Sequence, residues 1–179
     1  MPMILIVRHL YKNDPELLKR RLRMKEKQKT QQMLQVLLFP LFLLAFIIPG
    51  FDYRLHWSNV PLLILIISFV FVLLSYLFIG LVFKTNSYAS RIIEVEKGQK
   101  VISSGPYAVV RHPMYLGVLF FYLFSPVALG SYWALIPALI IIPTLIVRIN
   151  GEEKELVQNL AGYKEYMLKT KYRILPRIW

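Results

Sequence analysis

The sequence has no cysteine, three histidines, and only 10 acidic residues against 22 Lys and Arg. Without cysteine there is no disulfide, no thiolate nucleophile and no zinc site built on sulfur. His9, His56 and His112 are far apart in the chain, so no metal is expected. The most informative absence is of charge itself. Residues 60–83 contain no Asp, Glu, Lys or Arg over 24 residues. A helix made of such a run has no polar face to show water, which excludes a soluble all-helical protein.

The 179 residues are 56% hydrophobic, with a mean hydropathy of +0.51; soluble domains average about 45–50% apolar. The length suits one membrane-embedded domain, residues 1–179. Four apolar runs read as spans: Met33–Ile48, ended by Pro49-Gly50; Val60–Phe83; Pro113–Leu129; and Tyr132–Ile149. The first is slightly short against the ~17–25 residues a span needs. Gly130 and Ser131 alone join the last two, a tight antiparallel hairpin. Pro137 and Pro143 lie inside the fourth span, where membrane helices tolerate proline but kink.

Before the spans, residues 1–10 are apolar but too short to cross, and lack the order of a signal peptide; they read as an interfacial anchor. Residues 11–32 read as a basic amphipathic helix, capped by Asp14 with Pro15 in its first turn.

Lys and Arg number nine in residues 1–32, one (Arg54) in 49–59, five in 84–112, none at 130–131 and seven in 148–179. With four spans, all but one fall on one face. The positive-inside rule makes that face cytoplasmic, together with both termini. The net charge of +12 would indicate nucleic acid in a soluble protein. Here the cations fall beside lipid headgroups, so the expected partner is the membrane, with no nucleic acid.

Two cytoplasmic segments, 92–117 and 148–179, meet where the hairpin brings spans three and four together. In the first, Gly98, Gly105 and Pro106 mark turns around a short extended piece at Val101-Ile102. Arg111-His112-Pro113 follows. Proline pushes the preceding residue away from helical geometry and favours the first helical position, so the third span begins at Pro113. Its free N–H groups, with Arg111 beside them, form an anion site; the plainer reading is headgroup anchoring by Arg111 and His112. Tyr107, Tyr115 and Tyr122 read equally as an aromatic belt. In the second segment, Arg148 and Glu152 share a face if the helix continues through Asn150-Gly151. Residues 152–169 carry Leu156, Leu160, Tyr163 and Met167 at amphipathic spacing. Cations and anions thus converge at the cytoplasmic mouth of a bundle, which suits a small zwitterion without naming one.

The motifs Gly105-Pro106-Tyr107, Arg111-His112-Pro113-Met114-Tyr115 with Gly117, Arg148 with Glu152-Glu153, and Gly162-Tyr163-Lys164-Glu165-Tyr166 resemble the isoprenylcysteine carboxyl methyltransferase family, related to the phospholipid N-methyltransferases. The resemblance covers about residues 84–179. It implies an S-adenosylmethionine-dependent membrane methyltransferase acting on a lipophilic acceptor, most simply a carboxylate. The implied fold is all-α: a polytopic transmembrane bundle of about four spans, with a C-terminal amphipathic helix over a cytoplasmic-face cofactor pocket. The implied cofactor contacts are Gln99, Lys100, Val101, Ile102, Gly105, Tyr107, His112, Pro113, Met114, Tyr115 and Glu152. Arg148 is the residue linked to substrate; Glu153 and Arg111 are further catalytic candidates. Eukaryotic members often carry His where Gln99 stands. The small size looks more like prokaryotic members, whose home is the cell membrane. Three other readings compete: a lipid amine N-methyltransferase, which needs a base such as Glu153 or His112; an NADPH-dependent membrane reductase of related fold; and a non-catalytic membrane protein.

Overall fold

The computed structural model describes residues 2–26 and 28–179; Met1 and Lys27, both inside the N-terminal segment read above, lie outside the described residues. The described chain is all-helical, without a strand: α1 (Pro2–Asn13), α2 (Pro15–Leu22), α3 (Lys29–Leu55), α4 (Leu62–Thr85), α5 (Pro113–Ala128), α6 (Leu135–Asn159) and α7 (Tyr163–Lys169). A 3-10 turn covers Gly105–Ala108.

Helices α3, α4 and α6 are long and apolar enough to cross a membrane. Helix α5 is as apolar but has 16 residues, about 24 Å at the rise of an α-helix. It completes the bundle as a shorter fourth helix. Helix α4 packs chiefly on α5, and α3 on α6, with α5 and α6 also touching. The polarity is that of a protein dissolved in lipid. Helix α4 buries Ser68 and Ser75 while exposing Leu62, Leu63, Phe69 and Leu77. The Ser75 hydroxyl donates to the Phe71 carbonyl at 2.7 Å, so that hydroxyl is not left bare to hydrocarbon. At Gly117 of α5 an added β-carbon would sit 2.7 Å from Ile79 Cγ1 of α4, the close approach that small residues allow between membrane helices.

Several boundaries differ from the sequence reading: α3 starts at Lys29 rather than Met33, and α6 at Leu135 rather than Tyr132. Helix α3 does not end at Pro49-Gly50. It runs through Pro40 and Pro49 to Leu55 and stops at His56, whose left-handed backbone (φ 53°) donates back to the Asp52 carbonyl. Helix α6 does not end at Ile149 but continues through Gly151 to Asn159. The amphipathic stretch 152–169 is therefore the end of α6 plus the separate α7, parted at Gly162 (φ +83°). Residues 11–32 likewise hold no single helix: α1 reaches Asn13, and α2, capped by Asp14 Oδ1 on the Leu17 N–H at 2.9 Å, stops at Leu22. Val101-Ile102 has no regular structure.

Far from the basic segments, Asp52 fastens three elements. Its carboxylate accepts from the Ser58 amide (2.6 Å), the Ser58 hydroxyl (2.7 Å) and the Ser131 hydroxyl. Ser58 and Ser131 in turn accept from the backbone of the α5–α6 turn, at Tyr132 and Ala134.

At the other end, α1 and α2 pack through Leu10 and Leu17 on Phe83 of α4. Residues 20–26 then lie along segment 87–96. Arg20 donates to the Ser87 carbonyl, Arg21 to the Ser90 carbonyl, and Arg23 pairs with Glu94 and Glu96.

Candidate active site

Segment 86–112, the start of α5, the C-terminal end of α6, and α7 together enclose a cavity of about 830 Å³, its open mouth included. The left-handed Gly105 (φ +56°) lets the 3-10 turn fold against Thr85 at the end of α4. That turn carries Tyr107 into the wall. Pro113 opens α5, so His112, Met114 and Tyr115 follow one another around the cavity. Because α6 continues through Gly151, Arg148 and Glu152 stand one turn apart on the same wall.

Tyr115 joins those two charges. Its hydroxyl donates to Glu152 Oε2 at 2.7 Å and accepts from Arg148 Nε at 3.0 Å. Arg148 is held on its remaining edges. It donates to the Arg91 carbonyl and to Gln31 Oε1, and lies 3.7 Å from Glu26 Oε2. Glu26, itself buried, accepts from the Ile93 amide at 3.2 Å. The Glu152 side chain keeps 29% exposure and faces the cavity as an accessible carboxylate.

Behind this wall is a second, drier cluster. Glu153 accepts from Arg111 Nε at 2.7 Å and Arg173 Nε at 2.9 Å, and lies 3.2 Å from His112 Nε2. Arg111 also donates to the carbonyls of Thr170 and Lys171. The backbone amides of Arg111 and His112 donate to Tyr172 and Arg173. The chain after α7 thus binds the turn that precedes α5, and a buried ion cluster fixes His112.

The opposite wall is phenolic. Tyr166 donates to the Tyr107 carbonyl at 2.7 Å, and the Tyr107 hydroxyl accepts from Asn86. Burial pushes Tyr166 up to about 12, and pushes Tyr107 and Tyr163 further above the ordinary phenol value. All three are therefore neutral hydroxyls at physiological pH. The Tyr163 hydroxyl is buried at this cavity and has no hydrogen-bond partner among the described residues. That hydroxyl is free to donate a hydrogen bond to a group entering the cavity, or to accept one from it.

Of the residues read from the sequence, the structure brings Gln99, Lys100, Val101, Ile102, Tyr107, Arg111, His112, Met114, Tyr115, Arg148 and Glu152 to the cavity. Gly105, Pro113 and Glu153 stand behind its wall. Gln99 closes its own turn by accepting from the Glu96 amide. The anion site expected at the start of α5 is small: Pro113 has no N–H, and the amides of Tyr115 and Leu116 already bond His112, which leaves that of Met114. The sequence reading missed the wall formed by Asn86, Ser90 and Ile93, and the supports Glu26 and Gln31. No local motif marks them: Asn86 meets Tyr107 21 residues on, and the contacts of Ser90 with Arg21, Ile93 with Glu26 and Gln31 with Arg148 join residues 67 or more apart. Among the described residues no group of three or more His, Asp or Glu is placed to hold a metal ion.

The model of the isoprenylcysteine carboxyl methyltransferase (ICMT) family matches residues 63–158, more than half of the chain and all of α5 and α6 but the last residue. The chain belongs to the isoprenylcysteine carboxyl methyltransferase family. No curated protein matches it. As a member it is an integral membrane protein of a methyltransferase family. The match includes Tyr115, Arg148 and Glu152, and leaves Glu26, Gln31 and α7 outside.

Proposed function

We propose that the protein is an S-adenosylmethionine-dependent methyltransferase that esterifies a carboxylate on a lipophilic acceptor at the cytoplasmic face of the membrane. The observation that carries this reading is the Tyr115 hydroxyl, which sets an accessible carboxylate (Glu152) and a guanidinium (Arg148) side by side on one cavity wall. One charge suits the cofactor's ammonium and the other an acceptor's carboxylate.

The residues present fit the cofactor. Glu152 takes the ammonium. Lys100, exposed at the mouth, takes the carboxylate with the Met114 amide. The unpartnered Tyr163 hydroxyl gains a partner, and tyrosine faces at 107 and 115 attract a cation. When bound, the cofactor supplies an electrophilic methyl carbon on a sulfonium. The acceptor carboxylate is ionised at neutral pH, so no residue here has to remove a proton. Arg148 orients it. The loop at 99–102 and α7 exclude water, which would otherwise solvate the carboxylate. Glu153 and Arg111 act from behind, holding His112 and the C-terminal segment in place. The charge distribution supports termini on the cytoplasmic side, which is the side of this cavity.

The test is calorimetry with S-adenosylhomocysteine on the purified protein. Wild type binds; Glu152→Gln binds at least tenfold more weakly. Arg148→Lys binds as wild type but fails to methylate the acceptor, because the planar fork is lost. Folded wild type that neither binds this ligand nor consumes S-adenosylmethionine overturns the proposal.

A further inference from the structure

After α7 the chain doubles back: the amides of Arg173 and Ile174 both donate to a main-chain oxygen of Trp179, at 2.9 and 3.2 Å. Trp179 thereby stands between two recesses outside the active-site cavity. On one side is a cationic recess bearing Lys171, Arg173 and Arg177. On the other is an apolar groove between α5 and α6, about 420 Å³ with the open space above it included, floored by Leu119, Ile142 and Ile146. The Arg173 guanidinium lies over the indole, 4.9 Å from the ring centre, and is paired with Glu153. Lys171 and Arg177 are exposed, and neither has an ion-pair partner among the described residues. Arg177 is held at φ +66°, a left-handed conformation that a non-glycine residue adopts at a cost and that recurs at ligand sites.

We infer that this double recess is a binding site for an anionic phospholipid, with the phosphate on Lys171 and Arg177 and one acyl chain in the groove along Leu119, Ile142 and Ile146. Two unneutralised cations call for an anion, and the adjoining wall is hydrocarbon. A free phosphate leaves the groove bare; a neutral lipid leaves the cations unanswered. An indole at the boundary is where tryptophan sits in membrane proteins, between headgroup and chain. The site reaches the active centre through the backbone. Residues 170–173 are the ones whose carbonyls hold Arg111 and His112, so a lipid seated against this segment stiffens the turn that opens α5.

The experiment is thermal unfolding of the full chain in neutral detergent. It is titrated in turn with dioleoyl phosphatidylglycerol, dioleoyl phosphatidylcholine, dihexanoyl phosphatidylglycerol and inorganic phosphate. Ligand that binds the folded state raises the midpoint. Expected is a saturable rise with the long-chain anionic lipid, at a concentration at least tenfold below that of phosphatidylcholine. Neither the short-chain lipid nor phosphate reproduces it. Lys171→Gln with Arg177→Gln abolishes the rise. Arg8→Gln with Lys12→Gln on α1, which removes the same charge, retains it. Ile146→Trp, which fills the groove, also abolishes it. Equal responses to the two long-chain lipids, full reproduction by inorganic phosphate, or equal losses in the two double variants would overturn the inference.

Discussion

A β-carbon on Gly151 would collide with the side-chain nitrogen of Gln31. Gly151 is therefore a notch in α6 that admits the amide of α3, whose oxygen faces Arg148. Gly151→Ala improves the intrinsic helix propensity of α6 by about 1 kcal/mol yet expels Gln31. The expected result is a rise of about tenfold in the KM for the acceptor, with S-adenosylhomocysteine affinity nearly unchanged. Adding Gln31→Ala relieves the collision, so the double variant regains its thermal midpoint without regaining the acceptor KM. Steady-state kinetics beside thermal unfolding separates these effects.

Glu153 answers two arginines, Arg111 and Arg173, in a site that leaves its side chain 6% exposed. Removing one partner of a buried ion cluster leaves the others uncompensated, a loss of about 3–5 kcal/mol. Glu153→Ala is expected to lower stability by that order, and to free the segment after α7 from the turn at Arg111. Limited proteolysis between residues 170 and 179 reads the second effect, and wild-type resistance there in the variant would refute it.

The buried tyrosines set an alkaline limit. Tyr107, Tyr163 and Tyr166 have phenols raised above the ordinary value of 10, Tyr166 to about 12. The folded state thus keeps protons that the unfolded state releases. The stability these groups contribute is whole below pH 10, and falls as pH rises from 10 through 12. Thermal midpoints should hold to about pH 10 and then drop. Tyr166→Phe, which cannot ionise, should flatten the drop while lowering the plateau.

Asp52→Ala strips the acceptor from the Ser58 amide and from the Ser131 hydroxyl, both hydrogen-bonded to it in the wild type. Bonds to a charged group contribute about 1.5–3 kcal/mol each, and the donors are left bare at the membrane edge. A lowered thermal midpoint with unchanged cofactor affinity is expected, since the site lies at the other end of the bundle.

Legibility in the sequence followed the range of the forces. The bundle was legible because hydrocarbon demands long apolar runs: the charge-free run at 60–83 is α4, found at Leu62–Thr85. Pro113 marks the start of α5 in both, because proline lacks the N–H that a first turn wastes anyway. The same rule misplaced the end of α3, where Pro49-Gly50 reads as a stop but the helix continues to Leu55. In lipid, breaking a helix would expose more backbone than proline costs. Arg148 and Glu152 were legible as a pair four apart. What holds Arg148 was not: Gln31 and Glu26 reach it across more than a hundred residues, and nothing local in the chain marks such a contact.

The clasp at Asp52 sets how the molecule is free to open. It pins α3 to the α5–α6 turn through side chains that are themselves buried, Asp52 1% and Ser131 0% exposed. The joints at the other end, Gln31 to Arg148 and Arg23 to Glu94 and Glu96, are made by long side chains with several rotatable bonds, which swing apart more easily than the short link of Asp52 to Ser131. The bundle is thus built like a clothes-peg, sprung at the far face. Any parting of α3 from α6 is therefore expected to begin at the Gln31–Arg148 end, while the far ends of α3, α5 and α6 stay together.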